Sequence, residues 1–183
     1  MASDHPLPLL WLLSDARNDA LLEQALDGLP PGSGFVFRHY HLAPPARRRR
    51  FERLRAHAAR SGHCVLLAGR EDWPADGTYG GQRRRAGGLH IATAHDRAEI
   101  RAAAQDGANG LFLSPVFPTA SHPAAATLSI AGFRALAQES PIPVIALGGM
   151  DAGKAQRLDW PRWGAIDGLT PRAPAPHTAK STD

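Results

Sequence analysis

The chain has 183 residues, of which 43% are hydrophobic and 21% charged, and its formal net charge is +4. This length allows one sizeable hydrophobic core and is short for two, so we expect a single domain over residues 1–171. Its one cysteine, Cys64, excludes an intramolecular disulfide, and the N-terminal apolar run is too short to span a bilayer.

Several features indicate a cytoplasmic protein. The N-terminus carries Asp4 and His5 with no basic leader, and the lone cysteine fits a reducing compartment. Cys64 lies in the apolar run HCVLLAG, which is typical of a buried structural thiol rather than a nucleophile. Residues 172–183 are rich in proline and polar side chains, which predicts a disordered tail.

Short apolar runs recur along the chain and predict an α/β fold. Candidate strands lie at residues 7–15, 34–41, 63–69, 78–81, 89–94, 110–116, 142–149 and 165–171. Helical periodicity follows the first, second, fifth, sixth and seventh of them. Eight strands in this alternation predict a closed (β/α)₈ TIM barrel, trimmed by short or missing helices after strands 3, 4 and 8.

In such a barrel the chemistry lies at the carboxyl ends of the strands. The seventh candidate strand ends on Gly148 and Gly149, and glycines let backbone N–H groups approach a phosphate closely. A plain tight turn is the alternative interpretation of this pair. Thr170 ends the neighbouring eighth candidate strand, and this second group favours a phosphate site.

Two segments in the second half carry a family resemblance. PVFPTASHP followed by IPVIALGGM is similar to the thiamine phosphate synthase family, which includes the thiazole tautomerases. LWLLSD, FVFRHYH, ADGTYGGQ and IATAHDRAEI resemble segments of the family's first, second, fourth and fifth strands. The chain is thereby identified as a divergent member, and the resemblance implies a (β/α)₈ barrel of thiamine biosynthesis.

The resemblance also implies a reaction. Family synthases join a hydroxymethylpyrimidine pyrophosphate to a thiazole phosphate and release pyrophosphate, while magnesium and basic side chains stabilise the leaving group. It implies that Arg38 contacts the pyrophosphate and that the hydroxyl of Thr93 stands in place of a serine. The resemblance further implies that the substrate phosphates contact Thr119, Ser121, Gly148 and Gly149.

Other positions depart from the family pattern. Ala68 and Gly69 stand where the family has an Asn-Asp pair, and Gln82 is followed by Arg83–Arg85 instead of a second metal aspartate. Tyr40 stands at the position of a lysine. Because magnesium prefers carboxylate oxygen, we expect no metal ligands at these positions and activity that is weak or lost.

Two features leave alternatives to a metal-free, inactive synthase open. Glu71 or Asp72 would replace the missing metal ligands only after a shift of their loop. His122 replaces the lysine that ends the loop after the sixth strand, and an imidazole supplies acid–base catalysis near neutral pH. The alternatives are therefore a metal-independent thiazole tautomerase using His122 and a non-catalytic protein that binds a phosphorylated ligand.

The expected partner is a small phosphorylated substrate. RRRRFERLR is the one segment that suggests nucleic acid, but it has few aromatic residues and the chain carries 17 acidic residues. We therefore expect neither nucleic acid nor membrane partners. The missing helices leave strand faces to be covered, which favours a homo-oligomer.

Overall fold

The computed structural model describes residues 7–81, 87–119 and 126–171. Within them, eight parallel strands close a barrel in chain order. The strands are β1 (Leu10–Leu13), β2 (Gly34–Phe37), β3 (Cys64–Ala68), β4 (Gly77–Tyr79), β5 (Leu89–Ala94), β6 (Gly110–Leu113), β7 (Val144–Ala146) and β8 (Trp163–Ala165). β8 pairs with β1 through Leu10↔Trp163 and Leu12↔Ala165, and this pairing confirms the predicted (β/α)₈ TIM barrel.

Helices cover only part of the barrel's outer surface. They are α1 (Leu22–Asp27), which follows a 3₁₀ turn at Asp19–Leu21, then α2 (Pro44–Ala59), α3 (Arg97–Gln105), α4 (Ser129–Gln138) and α5 (Ala152–Leu158). In the described residues no helix follows β3, β4 or β8, as the sequence predicted. No helix in this part of the chain has the length and apolar character needed to cross a membrane.

The strands are buried on both faces, which explains why they read as continuous apolar runs. One set of side chains fills the barrel interior: Trp11, Leu13, Val36, Leu66, Ile91, Phe112 and Ile145. The alternate residues of β1 to β3 pack outward against α1 and α2, including Leu12, Phe35, Phe37, Val65 and Leu67. The two layers hold the strand ends in fixed positions around the barrel mouth.

The prediction of the eighth strand at residues 165–171 is wrong. β8 ends at Ala165, because its register is set by pairing with β1 and by a hydrogen bond from Trp163 N to Leu9 O of 3.0 Å. The chain then turns, and the N–H of Thr170 donates to Asp167 O at 3.1 Å. The predicted tail at residues 172–183 lies outside the described residues.

Cys64 behaves as the sequence predicted. It is partly buried at the start of β3, and its side chain packs against the barrel-interior cluster. Burial raises the pKa of the Cys64 thiol to about 12, and the nearby Asp76 carboxylate adds to the effect. The thiol therefore stays protonated at neutral pH and is a poor nucleophile.

Gly34 offers a test of the packed interior. A Cβ at Gly34 would lie 2.1 Å from Cε3 of the fully buried Trp11, whose indole N–H donates to Pro8 O. Gly34→Ala should therefore lower the free energy of unfolding by about 1–3 kcal/mol in urea denaturation, the usual cost of overpacking. The matched control is Gly153→Ala in α5, where the nearest atom is 3.5 Å away. An unchanged stability in Gly34→Ala would contradict the tight contact.

Candidate functional site

A cavity of about 1420 Å³ opens at the carboxyl ends of the strands. Residues at or just beyond the carboxyl ends of seven strands line it, among them Arg17, Arg38, Tyr79, Thr93, Ser114, Gly148 and Ile166. None of the described lining residues follows β3. This end of a (β/α)₈ barrel is where such folds hold their ligands.

Gly148 and Gly149, the predicted phosphate-binding pair, form a sharp turn in the cavity wall. Their φ values are +95° and +63°, and a Cβ would lie 2.6 Å from Pro115 Cα and 2.3 Å from Pro118 O respectively. Only glycine fits both positions. Neither amide N–H is hydrogen-bonded to the described residues, so both can bind a ligand oxygen.

Lys154 brings a cation to the same turn. Asp151 caps α5 by accepting a hydrogen bond from Lys154 N at 2.8 Å, and this cap directs the first turn of the helix towards the glycines. Lys154 Nζ lies 2.6 Å from Gly149 O and 3.2 Å from Asp151 Oδ2. The sequence analysis considered only residues at the carboxyl ends of strands. It did not include this lysine, which lies in the first turn of the helix that follows the glycines.

Arg38 lines the same cavity as this turn. Its Nη2 is 3.6 Å from Asp15 Oδ2, and Arg17 donates to the other oxygen of Asp15 at 3.0 Å. Burial raises the pKa of Asp15, but the hydrogen bonds from Arg17 and the charge of Arg38 outweigh it and lower the pKa below its usual value. Asp15 is therefore an anion that partly neutralises both arginines.

The predicted hydroxyl groups have different surroundings. Thr93 and Thr119 both line the cavity. The hydroxyl of Thr170 also lies there, but it donates to Ile166 O at 2.7 Å and accepts from Asn18 Nδ2 at 3.3 Å. Its proton is thus directed to the protein rather than to a ligand. Ser121 and His122, predicted beside them, lie outside the described residues.

His95 places an imidazole in the cavity wall. Its Nδ1 is 2.7 Å from Ser114 O. Because a carbonyl only accepts, Nδ1 carries the proton and Nε2 keeps a lone pair. From the sequence, His95 leaves the fifth candidate strand and begins a helix, and that position favoured a structural role.

The end of β3 is filled by a buried arginine. Arg47 of α2 is only 4% exposed, and its Nε and Nη2 donate to Arg38 O at 3.0 and 2.9 Å. Nη2 also donates to Ala68 O, and Nη1 pairs with Glu71 Oε1 at 2.5 Å. The guanidinium therefore connects the ends of β2 and β3 to the loop that follows β3.

This arrangement does not fit a magnesium ion at the end of β3. A Cβ at Gly69 would lie 2.3 Å from Glu71 Oε2 and 3.0 Å from Arg47 Nη2, so a carboxylate side chain has no room there. Burial raises the pKa of Glu71, but the hydrogen bond from Arg47 outweighs it and keeps the carboxyl ionised and engaged. A fixed cation therefore occupies the position where the resemblance implies metal ligands, while Gln82 and Arg83–Arg85 lie outside the described residues.

The pair of Arg47 and Glu71 predicts a pH-dependent stability. Because the folded-state pKa of Glu71 is lowered, its stabilising effect is complete above the unfolded pKa and is lost as pH falls through the folded pKa. Glu71→Gln should cost about 1 kcal/mol at pH 7, a value reduced for solvent exposure, and the difference from wild type should shrink below about pH 4.

Glu52→Gln is the matched control for this measurement. Glu52 pairs with Arg48 on the exposed surface of α2, where an i,i+4 pair contributes less than about 0.5 kcal/mol. Urea denaturation at several pH values compares the two variants. A pH-independent loss in Glu71→Gln would contradict the stabilising role of its carboxylate.

Comparisons with known proteins identify the family to which the sequence belongs. The thiamine monophosphate synthase family model matches residues 11–159. A thiamine-phosphate synthase of Chloroflexus aurantiacus is 32% identical over 181 residues, which cover 87% of this chain and 81% of that protein.

Solved structures show the same barrel. A thiamine phosphate pyrophosphorylase from Pyrococcus furiosus superposes with a TM-score of 0.70 at 21% identity, over 86% of this chain and 85% of that one. An HpcH/HpaI aldolase/citrate lyase family protein from Burkholderia cenocepacia gives 0.59 at 15% identity, over 91% of each chain. These identities support the fold alone, whereas the family match and the Chloroflexus relative establish that this chain belongs to the thiamine monophosphate synthase family.

Proposed function

We propose that the cavity joins a hydroxymethylpyrimidine pyrophosphate to a thiazole phosphate, slowly and without the magnesium ion on which the family reaction depends. The observation that carries this proposal is the glycine turn. Gly148 and Gly149 line a cavity that Lys154 and Arg38 also line, and Lys154 Nζ contacts the carbonyl oxygen of Gly149. One cavity thus offers separate groups for two phosphorylated substrates.

The glycine turn supplies the site for the thiazole phosphate. The amides of Gly148 and Gly149 are held by a backbone that only glycine adopts, so they need no reorganisation to bind an oxyanion. Lys154 adds a positive charge within reach of the same oxygens. These groups hold the thiazole so that its ring nitrogen can reach the pyrimidine.

Arg38 supplies the site for the pyrophosphate. In the reaction the bond from the pyrimidine methylene to the pyrophosphate oxygen breaks, and its electron pair leaves with the pyrophosphate. The thiazole nitrogen forms the new bond to the methylene carbon. The guanidinium of Arg38 stabilises the charge that develops on the departing oxygen, and the hydroxyl of Thr93 lines the same cavity.

The charges of the cavity explain why the reaction should be slow. Arg38 and Arg17 share Asp15, while Lys154 pairs with Asp151. The cations are therefore partly neutralised before any substrate binds. Two phosphorylated substrates add several negative charges. Among the described residues, no carboxylate cluster at the end of β3 could hold a metal ion to offset them.

A thiazole isomerisation is the second candidate, and the tautomer of His95 favours it. With Nδ1–H donating to Ser114 O, Nε2 can accept a proton from a bound ring. His122, the acid–base group that the sequence predicted, lies outside the described residues. Such a proton transfer needs no metal ion.

The deciding experiment incubates the purified chain with both synthase substrates and follows thiamine phosphate, with magnesium and with EDTA. We expect slow product formation that EDTA leaves unchanged. Arg38→Met should reduce the rate by about 10²-fold, the usual effect of removing a group that stabilises a developing anion. Lys154→Met should raise the KM for the thiazole phosphate, and Arg157→Met on the exposed side of α5 is the control.

Each other outcome selects a different function. Strongly magnesium-dependent product would show that other acids hold the metal and would contradict the metal-free proposal. No product, together with isomerisation that is lost in His95→Ala or His122→Ala, would identify a tautomerase. Silence in both assays with thermal stabilisation by thiazole phosphate would leave a phosphate-binding protein.

A further inference from the structure

One carboxylate and two imidazoles converge beside the wall of the cavity. Asp19 begins the 3₁₀ turn, and His39 and His41 lie in the loop after β2. One ligand atom from each residue lies within 4.8 Å of the other two, and no other trio of this kind occurs among the described residues. We propose that Asp19, His39 and His41 bind a divalent transition metal ion such as Zn²⁺.

His39 is positioned as a metal-binding imidazole would be. It is 1% exposed, and its ring stacks on Phe37 with centroids 4.6 Å apart. Its Nδ1 lies 2.8 Å from the hydroxyl of Ser14, and its Nε2 lies 2.8 Å from Asp19 Oδ1. Without a metal ion, Nε2–H donates to the Asp19 carboxylate and the Ser14 hydroxyl donates to Nδ1; a metal ion would take the place of the Nε2 proton, and Nδ1–H would then donate to Ser14.

The surroundings of Ser14 support the tautomer with Nδ1–H. The Ser14 oxygen already accepts the N–H of Arg38 at 2.8 Å, and a hydroxyl oxygen has a second lone pair for His39 Nδ1–H. A neutral imidazole whose Nδ1–H is held by Ser14 presents Nε2 to a metal ion.

Asp19 and His41 supply the other two ligand atoms of the proposed metal site. The His41 side chain is exposed, and its ring centroid is 5.1 Å from that of His39. Asp19 Oδ1 accepts from Arg50 Nε at 2.6 Å, whereas Oδ2 makes no hydrogen bond with the described residues. A metal ion would replace the hydrogen bond between Asp19 and His39 and take the second carboxylate oxygen.

The charge of Arg50 does not prevent metal binding. Its Nη1 and Nη2 also contact Glu23 at 2.5 and 3.0 Å, and Arg53 pairs with the same carboxylate. Asp19 is a carboxylate at neutral pH, as aspartate ordinarily is, and offers a negative charge to the ion.

The ligand types select the metal. Two imidazole nitrogens and one carboxylate oxygen suit Zn²⁺, Co²⁺ or Ni²⁺, whereas Mg²⁺ prefers oxygen ligands alone. Three protein ligands leave a fourth position for water. The residues that flank these ligands, among them Asn18, Arg38 and Tyr40, line the cavity, so the ion would lie beside the substrate site and outside the groups that bind the phosphates.

The test is a zinc titration of the metal-free, full-length chain against a chromogenic chelator, with Co²⁺ absorption as a probe of coordination. We expect one zinc ion per chain and a tetrahedral Co²⁺ spectrum. His41→Ala and Asp19→Asn should each weaken zinc binding by about 10–100-fold. His57→Ala is the control, because His57 faces only Asp27, at 2.7 Å, and belongs to no trio.

Two results would overturn the proposal. One is a wild-type chain that binds no zinc, and the other is zinc binding of equal affinity in wild type, His41→Ala and His57→Ala. Because the His41 side chain is exposed, its replacement leaves the fold intact, and circular dichroism checks this. The readout is independent of synthase activity, so it stands or falls apart from the function proposed above.

Discussion

The mouth of this barrel depends on the buried guanidinium of Arg47. Its donors reach the carbonyl oxygens of Arg38 and Ala68 and the carboxylate of Glu71, so one side chain links α2 to the ends of β2 and β3. Phe37, Tyr40 and Trp73 surround its charge with aromatic rings. A buried charge is tolerable only with such partners, and removing any of them would leave it uncompensated.

This interaction determines which chemistry the cavity can support. Because Arg47 donates two hydrogen bonds to the carbonyl oxygen of Arg38, it fixes the backbone position from which the Arg38 side chain lines the cavity. It also fills the space at Gly69 that a metal-binding carboxylate would need. The same side chain that orders the backbone of a cavity residue therefore leaves no room for a metal-binding carboxylate at the end of β3.

The sequence predicted the barrel well because its strands are buried on both faces and read as apolar runs. It misplaced β8, since the strand is only three residues long and is defined by pairing with β1, which no local pattern reveals. The glycine turn was predictable from Gly148 and Gly149, whose role is in the backbone. Lys154 was not, because its contribution depends on a contact between separate elements, and the tautomer of His95 likewise depends on its contact with Ser114 O.

The burial of Arg47 could have been predicted from the sequence of α2. The buried positions of α2 are Arg47, Phe51, Leu54 and Ala58, which follow one helical stripe. Extending the apolar stripe by one turn towards the N-terminus leads to this arginine within the run RRRR. An arginine on the buried stripe of a helix requires buried acceptors, and the carboxyl ends of two strands supply them.

Exchanging a metal ion for an arginine changes what the positive charge can do. A bound magnesium ion can coordinate a leaving oxygen directly, whereas Nε, Nη1 and Nη2 of Arg47 are all engaged by protein oxygens. Its charge therefore acts on the cavity only through the electrostatic field, which weakens with distance. The phosphate site proposed at the glycine turn does not use that charge, so under the proposed function we expect the cavity to bind its substrates while the bond-breaking step is slow.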